Sequence, residues 1–220
     1  MEHKIRRRRQ ILRNRTIILR SAKDLFHKKG FYSTTMEDIA QFSGFDRRTI
    51  YNHFKNKDEI FAALIATLIT DMKDIIEDVS KQEISPLYKL KDIIGQLLSL
   101  YSDHSQLLTI FMSEYEVSGK KKKKQISPYM LKNILAYREI ETLISDLIKQ
   151  AQAEDLIADI HPYILAGVFN ELILRSVVIL HSSKKDFTKD DAVRDIVRVI
   201  GGNILKNKTV IEDLGQPQQA

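Results

Sequence analysis

Apolar residues recur along this chain with the period of an α-helix, and turn residues fall between the periodic runs. Between Arg15 and Lys29, Ile18, Ala22, Leu25 and Phe26 follow i, i+4, i+7, i+8 spacing, which predicts a helix with one buried stripe. Gly30 ends it, after Lys28 and Lys29, whose charges suit the negative end of the helix dipole. In "STTMEDIAQFSG", Thr34 or Thr35 can cap a short helix, with Glu37 or Asp38 three residues on as in a capping box. That helix turns Met36, Ile39 and Ala40 inward and stops near Ser43. Gly44 allows a tight turn, and Asp46 caps another short helix, Arg47 to about Phe54, with Ile50 and Phe54 inward. Asn56 with Glu59 opens a longer helix from Lys57 to about Lys81, through Ile60, Ala63, Leu64, Thr67, Leu68 and Met72.

Beyond residue 84 only helices and connections are expected. Ser85-Pro86 opens one that runs to about Asp103, a second spans about Ser105 to Val117, and Ser127-Pro128 opens a long one to about Ala153. His161-Pro162 opens the next, ending near Ser182. Lys189 to Lys206 forms the last, with Val193, Ile196, Val197, Ile200 and Ile204 on one stripe. "SGKKKKKQ" between the second and third of these is expected to be a solvated loop, and "GQPQQA" a frayed tail. The predicted class is all-α with about nine helices.

Composition agrees. A chain of 220 residues, 43% of them hydrophobic, holds enough apolar surface for a packed core, and eight glycines and four prolines are few. With no cysteine there is no disulfide, thiolate nucleophile or thiolate zinc site, which suits an intracellular protein. The basic N-terminus is followed by "ILRNRTIILR", which Arg13, Arg15 and Arg20 interrupt, so a signal peptide is not expected and the expected location is the cytoplasm. The longest apolar run, "YILAGVFNELILRSVVIL" from Tyr163, holds Asn170, Glu171 and Arg175 at its middle. At a membrane centre the charged pair would cost roughly 2.5–3.5 kcal/mol each, so a buried helix of a soluble domain is expected, with no membrane span.

Charge is distributed unevenly. Residues 1–57 hold 15 Lys/Arg against 5 Asp/Glu, or +10, and residues 58–220 hold the remaining 20 against 24, or −4. A basic head on a mildly acidic body is the footprint of a polyanion binder, nucleic acid first and an anionic membrane surface second. The arm "KIRRRRQILRNR" can enter a minor groove, add counterion release, or be a solvated tail.

Two helices joined by a short glycine-containing turn form a helix-turn-helix. Small Ala40 lets the two approach, Gly44 turns the chain and Ile50 locks the second against the first. Arg47, Arg48, Thr49, Tyr51, Asn52 and His53 remain outward, a surface of donors for phosphates and base edges. Taken alone the run is equally an ordinary amphipathic helix, with Tyr51 half-buried and His53 a surface imidazole; the basic excess and the Gly44 turn favour DNA.

The run "ILRSAKDLFHKKGFYSTTMEDIAQFSGFDRRTIYNHFKNKDEIF" resembles the DNA-binding domain of the TetR (tetracycline-repressor) family of bacterial transcriptional regulators. The resemblance rests on an alanine and Leu-Phe in the first helix, Gly-Phe, a Thr pair, Ile-Ala, Gly, Tyr-x-His-Phe and Lys, and covers about 45 residues. It departs from the pattern at Arg48, where the family commonly has a small residue, and at Phe45, where a smaller aliphatic is usual. It divides the chain into a helix-turn-helix domain (15–60) and a helical effector-binding and dimerisation domain (61–206), preceded by a basic arm (1–14) that is longer and more basic than the family needs and followed by the polar tail (207–220). It also implies a homodimer on a palindromic operator in double-stranded DNA. By position, Thr35, Tyr51, His53 and Lys57 would hold phosphates, and Arg47, Arg48, Thr49 and Asn52 would face base edges.

By the same resemblance the helices from about 85 to 182 enclose an effector pocket and the last two pair with their dimer mates. The all-round apolarity of residues 163–181 independently suggests burial on two sides. Leu165, Val168, Phe169, Leu172, Val177 and Leu180 are expected at the dimer contact, with Val193, Ile196, Val197 and Ile200 from the last helix. Phe111, Met112, Tyr115, Tyr129, Tyr137 and Phe169 can line a pocket or be plain core. His104, His161 and His181 show no paired ligand spacing, so no metal is expected, and no nucleophile–base pair or glycine-rich phosphate loop suggests an enzyme or a cofactor. The expected function is a repressor released by a small apolar or amphipathic ligand. The alternatives are a regulator or activator of the same fold governed by a protein partner, and a membrane-associated interaction protein using the basic arm.

Overall fold

The computed structural model describes residues 1–110, 128–182, 187–207, 211 and 214, and of 128–130 and 181–182 the backbone alone. The helices are α1 (Glu2–Lys29), α2 (Met36–Ser43), α3 (Arg47–His53), α4 (Lys57–Ser80) and α5 (Pro86–Asp103), then α6, described over 105–110, α7 (Pro128–Ala153), α8 (Pro162–Ser182) and α9 (Lys189–Ile204). The described residues contain no strand, only an isolated antiparallel bridge between Ile157 and Leu205. The all-α architecture expected from the periodicity is the one observed. The second half of the helix expected over 105–117, the Lys120–Lys124 loop and most of the tail lie outside the described residues.

The chain forms two compact units, Met1–Leu68 with Gln106–Asn133, and Ile69–Ser105 with Ile134–Ala220. α4 belongs to both, since the division falls between consecutive residues of that helix. The first unit packs around Ile18, Ala22 and Phe26 of α1, Ile39 and Ala40 of α2, Ile50 of α3 and Ile60 and Phe61 of α4. Rings of Phe26, Phe31 and Phe61 meet edge-on or tilted, with centroids 5.1–6.5 Å apart.

α1 begins thirteen residues before the start expected at Arg15. Residues 1–13 are exposed on all sides, so they bury no stripe whose period could be read. Arginine, glutamine and leucine are good helix formers, and lengthening an existing helix needs no new nucleus.

In the second unit α5 is the most buried element, with Leu90, Ile93, Ile94, Leu97, Leu98 and Tyr101 inside, flanked by α8 and α9. Burying each such aliphatic side chain contributes about 1.5–3 kcal/mol. Thr188 caps α9 through a reciprocal box with Asp191. α9 stops at Ile204, two residues before the expected Lys206, because Ile204 and Lys206 bond the backbone of Ala158 and Leu156 instead. Tyr101 is fully enclosed and its hydroxyl donates to Asn170 Oδ1 at 2.9 Å, with Met72 Sδ 3.6 Å away. α8 is apolar and long enough over Pro162–Leu180 to cross a membrane by length and composition, with mean hydropathy 1.8. Here one of its sides packs against α5 and α9, burying Leu165, Phe169, Ile173 and Val177.

Candidate nucleic-acid interface

Each turn around α2 and α3 is fixed by a specific bond. Thr35 is the cap of α2: its Oγ1 accepts from Asp38 N at 3.1 Å while Asp38 Oδ2 accepts from Thr35 N at 2.7 Å. Lys29 donates to the same carboxylate at 2.7 Å and, with Thr35, lowers the Asp38 pKa to about 2. Thr34 is buried, and its hydroxyl donates to Gly30 O at 2.7 Å. At the other end of α2, Gly44 adopts φ 72°, ψ 16°, its N–H donates to Gln41 O and the Phe45 N–H to Ala40 O. This pair of bonds closes the helix as a Schellman turn, which needs a left-handed residue.

Asp46 then opens α3, accepting from Thr49 N at 2.7 Å and from the Thr49 hydroxyl at 3.1 Å. Those bonds hold its carboxyl below the usual carboxylate range. Ile50 is fully buried and Phe54 nearly so, which sets the rotation of α3 about its axis. Arg48, Tyr51 and Asn52 consequently lie exposed, Tyr51 at 44%, and Thr49 and His53 are half-buried. Arg48 leaves α3 regular, and Phe45 is half-buried beside it.

Three residues have partners that the sequence pattern did not reveal. Arg47 pairs with Glu37 of α2. Arg15 of α1 donates to His53 O at 3.3 Å and lies 4.1 Å over the Phe54 ring, so it satisfies the C-terminal end of α3. Burial, and then the Arg15 charge, push the His53 imidazole down from its ordinary value. Lys57, expected at a phosphate, sends its ammonium to the carbonyls of Phe31 (2.6 Å), Thr34 (2.9 Å) and Tyr32 (3.3 Å), and lies over the Phe31 ring. Three N–H donors meet three acceptors there, and burial pushes the Lys57 pKa down. The set Thr35, Arg48, Tyr51 and Asn52 is thus carried on the exposed side of one helix pair, and Lys57 supports the loop before it.

In the second unit, Phe169 lines a cavity of about 40 Å³ with Leu90, Ile94, Val197 and Ile200. Tyr137 is half-buried, and its hydroxyl pKa is raised by burial and by the nearby acids Glu141 and Glu171. Phe111, Met112 and Tyr115, and the side chain of Tyr129, lie outside what is described. Of the residues expected at a dimer contact, Leu165, Phe169, Val177, Ile196, Val197 and Ile200 are buried within the chain, Leu172, Leu180 and Val193 are half-buried, and Val168 is exposed. Ile164, Val178, Ile179 and Val199 are exposed as well and were not singled out from the sequence. Helical angle alone could have grouped Ile164 and Val168 with Arg175 and Val178.

Residues 18–64 match the family model described as bacterial regulatory proteins, tetR family. The chain is 25% identical over 157 residues to the HTH-type transcriptional regulator YhgD of Bacillus subtilis (strain 168), itself uncharacterized, covering 71% of this chain and 81% of that one. In fold it is similar to the ketosteroid transcriptional regulator KstR2 of Mycobacterium tuberculosis, with TM-score 0.68 and 18% identity over 88% of this chain and 95% of that one. It is also similar to AibR in complex with isovaleryl coenzyme A and operator DNA, with TM-score 0.67 and 18% identity over 86% and 97%.

Proposed function

Since this chain is a TetR-family DNA-binding transcriptional regulator, we propose that it is a repressor that binds a palindromic operator as a homodimer and leaves it when a small apolar or amphipathic ligand binds the helical body. Two α3 helices then enter successive major grooves about 34–36 Å apart. Arg47, Arg48, Thr49 and Asn52 face base edges, Thr35, Tyr51 and His53 hold phosphates, and Lys57 keeps the Phe31–Thr34 carbonyls in place behind them. The observation that carries this reading is the setting of α3: capped by Asp46, locked by buried Ile50, and exposing Arg48, Tyr51 and Asn52 together.

The exposed apolar residues Ile164, Val168, Val178 and Ile179 of α8, with Val199 of α9, supply the homodimer contact. AibR, solved in complex with isovaleryl coenzyme A and operator DNA, is a precedent for a small-molecule site and a DNA-binding domain in one chain of this fold. A ligand acts this way only by binding the DNA-free conformation more tightly than the DNA-bound one. The protein works where the chromosome is, in the cytoplasm.

Selection of bound sequences from a random DNA pool at near-physiological salt tests this, with Tyr51→Phe/Arg48→Ala as control. Recovery of a palindrome that the control loses is the expected result. Recovery of no sequence preference overturns it.

A further inference from the structure

The first two turns of α1 have no role in the fold. Residues 1–23 contain nine Lys/Arg and a single acid, Glu2. Lys4, Arg6, Arg7, Arg8, Arg9 and Arg13 are all exposed, and none forms an ion pair with a described residue. Lys4 with Arg8, Arg6 with Arg9, and Arg9 with Arg13 stand at i, i+3 or i+4, where like charges destabilise a helix. Cations also oppose the positive end of the helix dipole. The helix therefore carries, at its exposed end, a cluster of charges left to water and small counterions, which a polyanion would displace.

Its attachment says which polyanion. At 100° per residue, Lys4, Arg8, Ile11 and Arg15 continue, turn by turn, the stripe that Ile18, Ala22 and Phe26 bury, with Arg7 beside it. Arg15 on that stripe bonds the last carbonyl of α3, at His53. With a rise of 1.5 Å per residue, Arg8 and Lys4 lie about 10 and 16 Å along the axis from Arg15. The basic stripe thus starts from the end of the recognition helix and extends past it on the face that α1 turns toward α3. A flexible arm would spread these charges over many positions; a helix continuous with the core fixes each one, with Lys4, Arg7 and Arg8 on the side turned toward α3 and Arg6, Arg9 and Arg13 on the opposite side.

We propose that residues 4–13 form a rigid phosphate-binding extension that grips the DNA backbone flanking each half-site, adding affinity without adding sequence preference. The inference rests on the DNA-binding reading of α3 but makes a separate demand: neutralised phosphates outside the palindrome.

The experiment measures binding by fluorescence anisotropy across a salt series. It compares the wild type, Lys4→Gln/Arg7→Gln/Arg8→Gln, and a Lys variant, Arg7→Lys/Arg8→Lys, that keeps the charge of the stripe. Each meets three duplexes: the selected palindrome with long flanks, the palindrome trimmed to its ends, and a scrambled duplex of the longer length. Glutamine keeps helix propensity, and an unchanged circular dichroism melt confirms the fold. On the long duplex the slope of log Kobs against log salt is expected to fall by about 2 to 3 in the Gln variant. The affinity lost between about 50 and 200 mM salt then shrinks by roughly 16- to 64-fold. The Lys variant keeps the wild-type slope, the scrambled duplex shows the same fall, and the trimmed palindrome shows none. An unchanged slope on the long duplex overturns the proposal, as does a loss confined to the palindrome. So does an unchanged DNA slope accompanied by lost binding to phosphatidylserine vesicles, which would assign the stripe to a membrane. Should the wild type select no palindrome, the reading of α3 fails, while the slope on the scrambled duplex still decides the role of α1.

Discussion

Lys57 Nζ lies 2.6 Å from the main-chain oxygen of Phe31, and the two further carbonyls it reaches complete a three-point tie between the start of α4 and the loop before α2. Lys57→Met is expected to destabilise the protein by about 1–3 kcal/mol, because it removes charged donors from carbonyls that stay in place. Arginine should not restore the loss, since a planar fork does not aim three donors at one small cluster of oxygens. Urea unfolding checks both, and an unshifted Lys57→Met midpoint would show the tie to be dispensable.

Gly44 turns the chain at φ 72°, and a Cβ placed there meets nothing within 4 Å. The expected cost of Gly44→Ala is therefore backbone strain alone, about 1–2 kcal/mol. Gly44→Asn should cost less, since asparagine tolerates the left-handed region. Thermal denaturation that ranks Ala at or above Gly would contradict the turn geometry.

Asp38 titrates at about 2, below the ordinary 3.8. A depressed carboxylate stabilises the fold above its unfolded pKa, and that contribution is lost as pH falls through the folded one. The melting temperature of Asp38→Asn should accordingly lie below wild type at pH 7, with the gap closing between about pH 4 and pH 2. A gap that persists at pH 2 would assign the effect to something other than the ionised cap.

Glu37 holds Arg47, and the pair is largely exposed. Arg47 must leave it to meet DNA, so Glu37→Gln should tighten binding to any duplex by up to about fivefold, the worth of an exposed ion pair. Titration of the palindrome and a scrambled duplex in parallel tests this; weaker binding to the palindrome would mean instead that Glu37 itself accepts from a base.

Tyr101 donates to Asn170, which is only 7% exposed. Tyr101→Phe leaves a buried amide oxygen without its donor, at a cost of about 1–3 kcal/mol. Adding Asn170→Leu should cost less than the sum of the single changes, and additive values in the double-mutant cycle would dissociate the two.

The helix pair was legible because its signals are local. Thr35 with Asp38, Gly44, and Asp46 with Ile50 each act within five residues, so type and spacing settle the geometry. Lys57 and Arg47 were not, since the partners of Lys57 sit 23–26 residues away in another loop, and that of Arg47 lies across a turn whose exit angle no pattern records. The early start of α1 was hidden for a different reason: an all-exposed helix has no hydrophobic period to betray it. In α8 the signal was thin, because on an otherwise apolar helix only Glu171 and Arg175 mark the side turned away from its own chain. Leu165 and Phe169 turned inward, while Val168, between them in sequence, faces out.

The outward side of α8 is not uniformly oily. Glu171 and Arg175, one turn apart and both exposed, share it with Ile164 and Val168. A bare apolar stripe would accept any similar stripe, but an acid followed by a base demands the reverse order from whatever lies against it. A two-fold axis supplies that order automatically to an identical copy. With α8 at the homodimer contact proposed above, and several chains of one architecture in the same cell, those two side chains would act as a test of kinship, letting the chain recognise its own sequence and refuse its cousins.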